Sequence, residues 1–362
     1  MTTQLEDSYE VVVLGGGAAG LNAALMLARS RRSVLVIDAG TPRNAPAHAV
    51  HGLLGREGMS PLALLEVGRA EVRGYGGQVV SGEVVDVRRG ESGSGAGVED
   101  PSSGGAEGES SSAASRFGAG ARVERGPATD ADFLVTLADG RSVRARRILV
   151  ATGLADELPS IPGLCERWGN EVLHCPYCHG WEVRDQRIAV LASGPMSVHQ
   201  ALLFSQLSDD IVFLTHTAPP LSDEDADKLA ARGIRVVPGE VVEVLADDRL
   251  TGIRLSDNTI IARDALVVGP RMNTRATFLE GLGLTPEPHP MGIGDHIPAD
   301  PLGRTTVPGV WIAGNATDPS AQVGAAAAAG AMAGAQINAD LVMTDTAAAV
   351  NARATRQASA AG

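Results

Sequence analysis

Cysteine is scarce, with three in 362 residues. So thin a supply excludes a secreted disulfide framework. Basic charge is short as well: 30 Lys and Arg stand against 43 Asp and Glu, for a net charge of −13. Nucleic acid and anionic membranes both need a basic surface, so neither is an expected partner, although local basic spots for phosphates are compatible with this balance. Long apolar runs are missing. The longest weakly polar stretch, "VGAAAAAGAMAGAQI" (323–337), is too rich in small residues to read as a membrane span. The N-terminus, "MTTQLEDSYE", lacks the basic and apolar regions of an export signal. The expected compartment is therefore the cytoplasm, where a C-x-x-C pair is more often catalytic or metal-binding than structural.

What is present suits a two-domain globular chain, since 44% of the residues are hydrophobic and the length is ample. It opens on a β-α-β pattern. "VVVLG" reads as a buried strand, "AAGLNAALMLARS" as a helix and "SVLVID" as a second buried strand. A helix from Ser60 and Pro61 follows. "QVVSGEVVDVRR" and "DFLVTLADGRSVRARRILVATG" read as strands of a small meander. The tract between them (89–129) is glycine- and serine-rich with almost no large apolar residue, so it is expected to be a disordered insertion at a hairpin tip. A second β-α-β pattern starts near Gln186, and the chain ends with strand, glycine turn and small-residue helix. Residues 344–362 read as a flexible tail.

Gly15-x-Gly17-x-x-Gly20 lies between the first strand and the first helix. Gly15 permits a tight turn, Gly17 lets backbone approach a pyrophosphate, and Gly20 allows close helix–strand packing. The helix N-terminus offers free N–H groups to phosphates, and Asp38 ends the next strand where an acid meets a ribose hydroxyl. The ligand of such a loop is FAD or NAD. "ILVATG" (148–153) and "GVWIAGNATD" (309–318) favour FAD, as segments that close over a long cofactor.

"HCPYCHGW" (174–181) holds two of the three cysteines. C-x-x-C-H is a haem-attachment pattern, four neighbouring His and Cys residues could bind zinc, and a C-x-x-C can be a redox pair. Haem attachment needs an export route and a small helical domain that are not visible. Zinc lacks a second ligand pair at finger spacing.

Four landmarks occur in order: GGGAAG, ATG, the C-x-x-C ahead of a second β-α-β unit, and "PGVWIAGN". In this the chain resembles the low-molecular-weight thioredoxin reductases among the pyridine nucleotide-disulfide oxidoreductases. The resemblance implies an α/β fold of two Rossmann-like, three-layer ββα domains, the second inserted into the first. The FAD domain would comprise 1–157 and 265–343, and an NAD(P)-binding-like domain carrying the C-x-x-C would comprise 158–264. It implies FAD as cofactor, held by Gly15, Gly16, Gly17, Ala18, Ala19, Gly20, Asp38 and Ala39. Asn44, His51, Ala151, Thr152, Gly153, Gly314, Asn315, Gln322 and Val323 would complete that site. Cys175 and Cys178 would form a redox disulfide, Cys178 facing the flavin and Cys175 exchanging with substrate. A homodimer is implied, with a small-molecule dithiol or disulfide, or a thioredoxin-like protein, as partner.

Three departures bear on direction. The second nucleotide loop reads "LASGPMSVHQAL", with only Gly194 surviving and Pro195 removing an N–H. Where a pair of arginines would hold the NADPH 2′-phosphate, the chain has His216, Thr217 and Ala218, so NADPH use is doubtful. His179 stands where an acid follows the second cysteine, and imidazole can take a proton from a dithiol near neutral pH. These features resemble the FAD-dependent dithiol oxidases of gliotoxin- and holomycin-type biosynthesis. The expected function is a thiol–disulfide oxidoreductase passing electrons from a dithiol through FAD to oxygen, with His179 as base. An NAD(P)H-dependent thioredoxin-disulfide reductase and a redox-sensing flavoprotein are the alternatives.

Overall fold

The computed structural model describes residues 5–90 and 133–361. Strand β1 (Ser8–Leu14) carries a valine run buried along its length. A glycine turn leads into α1 (Ala18–Arg29), and β2 (Val34–Asp38) returns parallel to β1. Helix α2 (Pro61–Gly74) starts with proline in its first turn, as the sequence predicts, although the Ser60 hydroxyl makes no capping bond. Strand β3 (Gln78–Ser81) pairs parallel with β2 and so belongs to the main sheet, not to the meander the sequence suggests.

The meander itself is β4 (Val84–Arg89), β5 (Phe133–Leu137) and β6 (Ser142–Val150), paired antiparallel in that order. Arg89 stands opposite Phe133 in the β4–β5 pairing. Residues 91–132, and with them most of the insertion expected at 89–129, lie outside the described residues. Strand β6 then runs beside β1 in parallel, so one long strand joins the meander to the first nucleotide-type sheet. Strand β7 (Leu154–Glu157) leaves that sheet.

The second sheet is built from β8 (Val172–Leu173), a one-turn helix α3 (Pro176–His179), β9 (Ile188–Leu191), α4 (Ser197–Phe204), β10 (Ile211–Leu214), α5 (Asp223–Ala231) and β11 (Arg235–Val237). An antiparallel trio follows: β12 (Val241–Ala246), β13 (Leu250–Leu255) and β14 (Ile260–Ala262). Then β15 (Ala265–Val267) inserts between β9 and β8, giving the parallel order β11-β10-β9-β15-β8. Strands β9 and β10 are apolar at every position because both faces are covered. The membership of β15 corrects the boundary expected at residue 265. A three-residue apolar strand fits either sheet by pattern, and only its pairing assigns it.

Strand β16 (Arg271–Thr274) pairs antiparallel with β7, so the two crossings between the sheets run side by side. A short hairpin of β17 (Glu287–Pro288) and β18 (Asp295–His296) precedes β19 (Val310–Ile312), which completes the first sheet beside β6. The chain ends in α6 (Val323–Ala361). Its small residues let it lie against α1: a Cβ on Gly330 would collide with the Ala19 carbonyl oxygen, and one on Gly334 would stand 2.8 Å from that of Ala23.

The tail expected at 344–362 is thus a correction, since the helix continues to Ala361. Ion pairs anchor its middle. Asp345 binds Arg32 at 2.9 Å and Arg146 at 2.6 Å, and Asp340 binds Arg147 at 2.6 Å. Beyond them, alanine-rich sequence carries the helix on its intrinsic propensity. Among the described residues no helix is long and apolar enough to cross a membrane.

Candidate active site

A cavity of about 1020 Å³ runs from the first glycine turn to the cysteine segment. Its first end is the cradle between β1 and α1. Gly15 has φ +107°, and a Cβ there would strike the Ala151 carbonyl oxygen, so the turn can close only on glycine. Gly17 caps α1 with no side-chain bond to the helix N–H groups, and a Cβ there would meet nothing within 4 Å. That leaves unencumbered donors facing open space, as a pyrophosphate requires. Gly16, Gly17, Ala18 and Ala19 line the cavity with Gly15, whereas Gly20 lies beneath it. A Cβ on Gly20 would collide with the Gly15 carbonyl oxygen, so its role is to let helix and turn touch.

The remaining expected cofactor residues fall into place unevenly. Asp38, Ala39, Asn44, Ala151, Thr152, Gly153, Gly314, Asn315, Gln322 and Val323 all line the cavity. Asp38 is already engaged, accepting from Arg69 at 2.9 Å and from the Gly40 N–H at 3.0 Å. Asn315 is held by its own turn. Its amide donates to the carbonyls of Asp318, Pro319 and Ala321 at 3.0, 3.2 and 2.9 Å, an arrangement no aspartate could make. His51 does not line the cavity, and this differs from expectation. Its Nδ1 meets Glu57 at 2.5 Å and its Nε2 meets Glu182 at 3.4 Å, so it links the loop after β2 to the segment after the cysteines.

The cysteines sit at the cavity's other end. Cys175 caps α3, Pro176 starts it, and Cys178 and His179 follow one turn on. Gly180 ends the turn against the Pro176 carbonyl oxygen and Leu207, where no Cβ fits. Both cysteines are free thiols in this structure. The hydrogen bond from Cys178 holds the Cys175 thiol down at about 7, against the upward push of burial; the N–H groups of Cys178 and Tyr177 and the charge of Arg43 add to the lowering. Cys178 is pushed up by giving that hydrogen bond and by burial. The pair therefore loses its first proton as a unit, with Cys175 as the thiolate.

Burial holds His179 below the ordinary imidazole value, opposed by Glu182 and helped by His51 and His48. It is a neutral base at neutral pH. His174 is lowered too, mainly by burial and then by Arg43. Its carbonyl oxygen accepts from Gln200 Nε2 at 3.1 Å, and its Nδ1 lies 2.9 Å from the same nitrogen. Trp181 is exposed, with Arg184 stacked 4.2 Å over its ring, so it is not a core aromatic.

Two residues of the site went unread in the sequence. Arg43 lies in an irregular loop and Asp156 on β7, and they form a two-point ion pair inside the cavity at 2.7 and 2.8 Å. A separation of 113 positions leaves no local signal for such a pair. Among the described residues no cluster of three or more His, Cys, Asp or Glu side chains could hold a metal ion.

The second glycine turn is built differently. Ser197 Oγ accepts from the N–H groups of Ser193 at 3.1 Å and Gly194 at 3.2 Å, Pro195 has no N–H, and the Ser197 N–H returns to the Gly194 carbonyl oxygen at 3.2 Å. His216, at φ +49°, accepts the Val241 N–H on Nδ1 at 3.0 Å and stays folded against β12.

Two Rossmann-type units, one with an open phosphate cradle facing a cysteine pair, define a flavin-linked disulfide oxidoreductase architecture. The chain belongs to the pyridine nucleotide-disulphide oxidoreductase family, whose model matches residues 9–335. It is 28% identical to the thioredoxin reductase sirT of Leptosphaeria maculans over 354 residues, covering 94% of this chain and 96% of that one. The crystal structure of HlmI superposes with a TM-score of 0.81 at 43% identity, covering 98% of this chain and 99% of HlmI. An oxidoreductase from Agrobacterium tumefaciens follows at 0.77 and 32%, covering 93% and 99%. The chain is thus an FAD-dependent disulfide oxidoreductase of thioredoxin reductase type.

Proposed function

We propose that this enzyme oxidises a small-molecule dithiol to its disulfide and passes the electrons through FAD to oxygen, as dithiol oxidases of the gliotoxin and holomycin type do. The observation that carries the reading is the shared cavity, which has the glycine cradle at one end and Cys175 and Cys178 at the other. The self-capped second turn supports the direction of flow, because a serine hydroxyl takes the N–H groups a dinucleotide pyrophosphate would need.

The cycle starts with the cysteine pair as a disulfide. His179, neutral and beside the pair, takes the proton of the first substrate thiol. The resulting thiolate attacks Cys175, forming a mixed disulfide and releasing Cys178 as a thiolate. The second substrate thiol, once deprotonated, attacks the substrate sulfur of that bond, which closes the substrate disulfide and releases Cys175. The substrate has then lost two protons and two electrons, and the pair holds the electrons. FAD, which Gly15, Gly16, Gly17 and Ala18 of the cradle would hold, would supply the two-electron acceptor for the reduced pair, with oxygen as the terminal acceptor and peroxide as its product. A low-pKa Cys175 is the better leaving group in the resolving step.

The name thioredoxin reductase on relatives such as sirT favours a second reading, in which NAD(P)H reduces a disulfide. Anaerobic mixing separates the two. Flavin bleaching by a dithiol alone, with peroxide on readmitting air, is expected. Bleaching by NADPH at a catalytic rate would overturn the oxidase reading.

A further inference from the structure

Arg43 has no place in the cycle as written, yet its surroundings are built with care. It follows β2 in an irregular loop and enters the cavity that Cys175, Cys178 and His174 also line. Its Nε and Nη2 donate to the two oxygens of Asp156 at 2.8 and 2.7 Å, and Nη1 donates to the Pro319 carbonyl oxygen at 3.3 Å. Only 8% of the Asp156 side chain is exposed, and 25% of that of Arg43. Asp156 lies on β7 opposite Met272 of β16, in the ribbon that joins the two sheets. The clamp therefore ties the loop after β2, the turn before α6 and the inter-sheet ribbon to one guanidinium. A planar fork held at three points loses little further freedom on meeting an anion.

The three bonds use three of the five N–H groups of the side chain, and the other two have no acceptor among the described residues. The anion that forms at this end of the cavity is a cysteine thiolate. Arg43 draws down both cysteines, and it lowers the neighbouring His174 while Asp156 raises it. A rigid, half-neutralised cation suits this place. It favours thiolate without forming a tight pair that would quench the nucleophile.

We propose that Arg43, clamped by Asp156, is a positioning residue that keeps Cys175 available as the thiolate when the pair is reduced. The role rests on the thiol–disulfide reading of the cysteine pair, and it applies whichever way electrons flow. It assigns Asp156 a part as well: to aim the guanidinium and temper its charge.

The test uses reduced, full-length protein with FAD bound. Iodoacetamide labelling of Cys175 is followed across pH by peptide mass spectrometry, which keeps Cys165 out of the signal. Arg43→Met is expected to move the midpoint of the labelling profile upward by a few tenths of a pH unit. Asp156→Asn, which keeps the cation and removes the carboxylate that half-neutralises it, is expected to move the midpoint slightly downward. Where Arg43→Met fails to fold, as judged by loss of bound flavin, Arg43→Gln carries the same expectation with one hydrogen bond to Asp156 retained. A merely structural residue would lower the melting temperature and leave the midpoint in place, and an unmoved midpoint in the folded variant overturns the proposal. No substrate or oxygen enters the measurement. A failed oxidation assay would therefore sink the dithiol oxidase reading alone, and an unmoved midpoint would sink the role of Arg43 alone.

Discussion

The two glycine turns occupy matching places, each after a central parallel strand and before a helix, and they are finished in opposite ways. In the first, no side chain among the described residues accepts from the N–H groups of Gly16 and Gly17, and the turn opens onto the cavity. The second folds the Ser197 hydroxyl back onto the N–H groups of Ser193 and Gly194. Both turns support the same strand–helix packing, so the fold survives in each. What separates them is whether the donors stay free. A sheet order shared by both units therefore says little about what each one binds, and the finishing of the turn says much. The second unit contributes the cysteine segment instead.

The largest test of that division is His179→Gln, which should lower dithiol oxidation by about 100-fold or more. Wild-type enzyme should lose activity as pH falls through the pKa of His179, because the base form is the active one. Burial depresses that pKa, so the acid limb belongs below the ordinary imidazole value, and it should vanish in the variant. A rate that falls only slightly, with the limb intact, would break the assignment of proton transfer to the second unit.

Paired alanine substitutions sharpen the contrast between the turns. Gly20→Ala drives a Cβ into the Gly15 carbonyl oxygen and should cost about 1–3 kcal/mol together with loss of bound flavin. Gly194→Ala meets open space and should stay within about 0.5 kcal/mol, with flavin retained. Visible absorbance and thermal unfolding read both, and flavin loss in Gly194→Ala would erase the distinction. A modest effect, confined to stability, is expected for Ser197→Ala. Removing the hydroxyl that caps the second turn should cost about 1 kcal/mol in denaturant unfolding and leave dithiol turnover unchanged. A large drop in turnover would mean that the turn does more than hold its helix.

Much of this was legible because the signals are local. The cradle is a glycine pattern within six residues, and the strands on either side of it are uninterrupted valine and leucine runs. The doubtful second turn was equally plain in Pro195 and in the missing arginines. What stayed hidden depends on distant partners. Arg43 looks like any loop arginine until Asp156, far along the chain, meets it. His51 lies in a loop that passes the cavity, but two glutamates hold its ring outside the lining. The last residues lack a wide apolar stripe and read as a loose tail. Asp340 and Asp345, which tie the helix to the buried Arg147 of β6 and Arg32 of the turn before β2, are ordinary surface acids by sequence.

The order of pairing also sets an order of assembly. Strand β19 and helix α6 follow the whole second sheet in the chain, and both are components of the first unit. The second sheet and the ribbon of β7 and β16 are complete in sequence by Thr274. On a ribosome the inserted unit can close while the earlier one still waits for its final strand. Gly314, Asn315, Gln322 and Val323 arrive with that later segment, so the cradle gains its far wall only after the inserted unit has been made. A cofactor that needs this wall can be held only once the cysteine segment already exists.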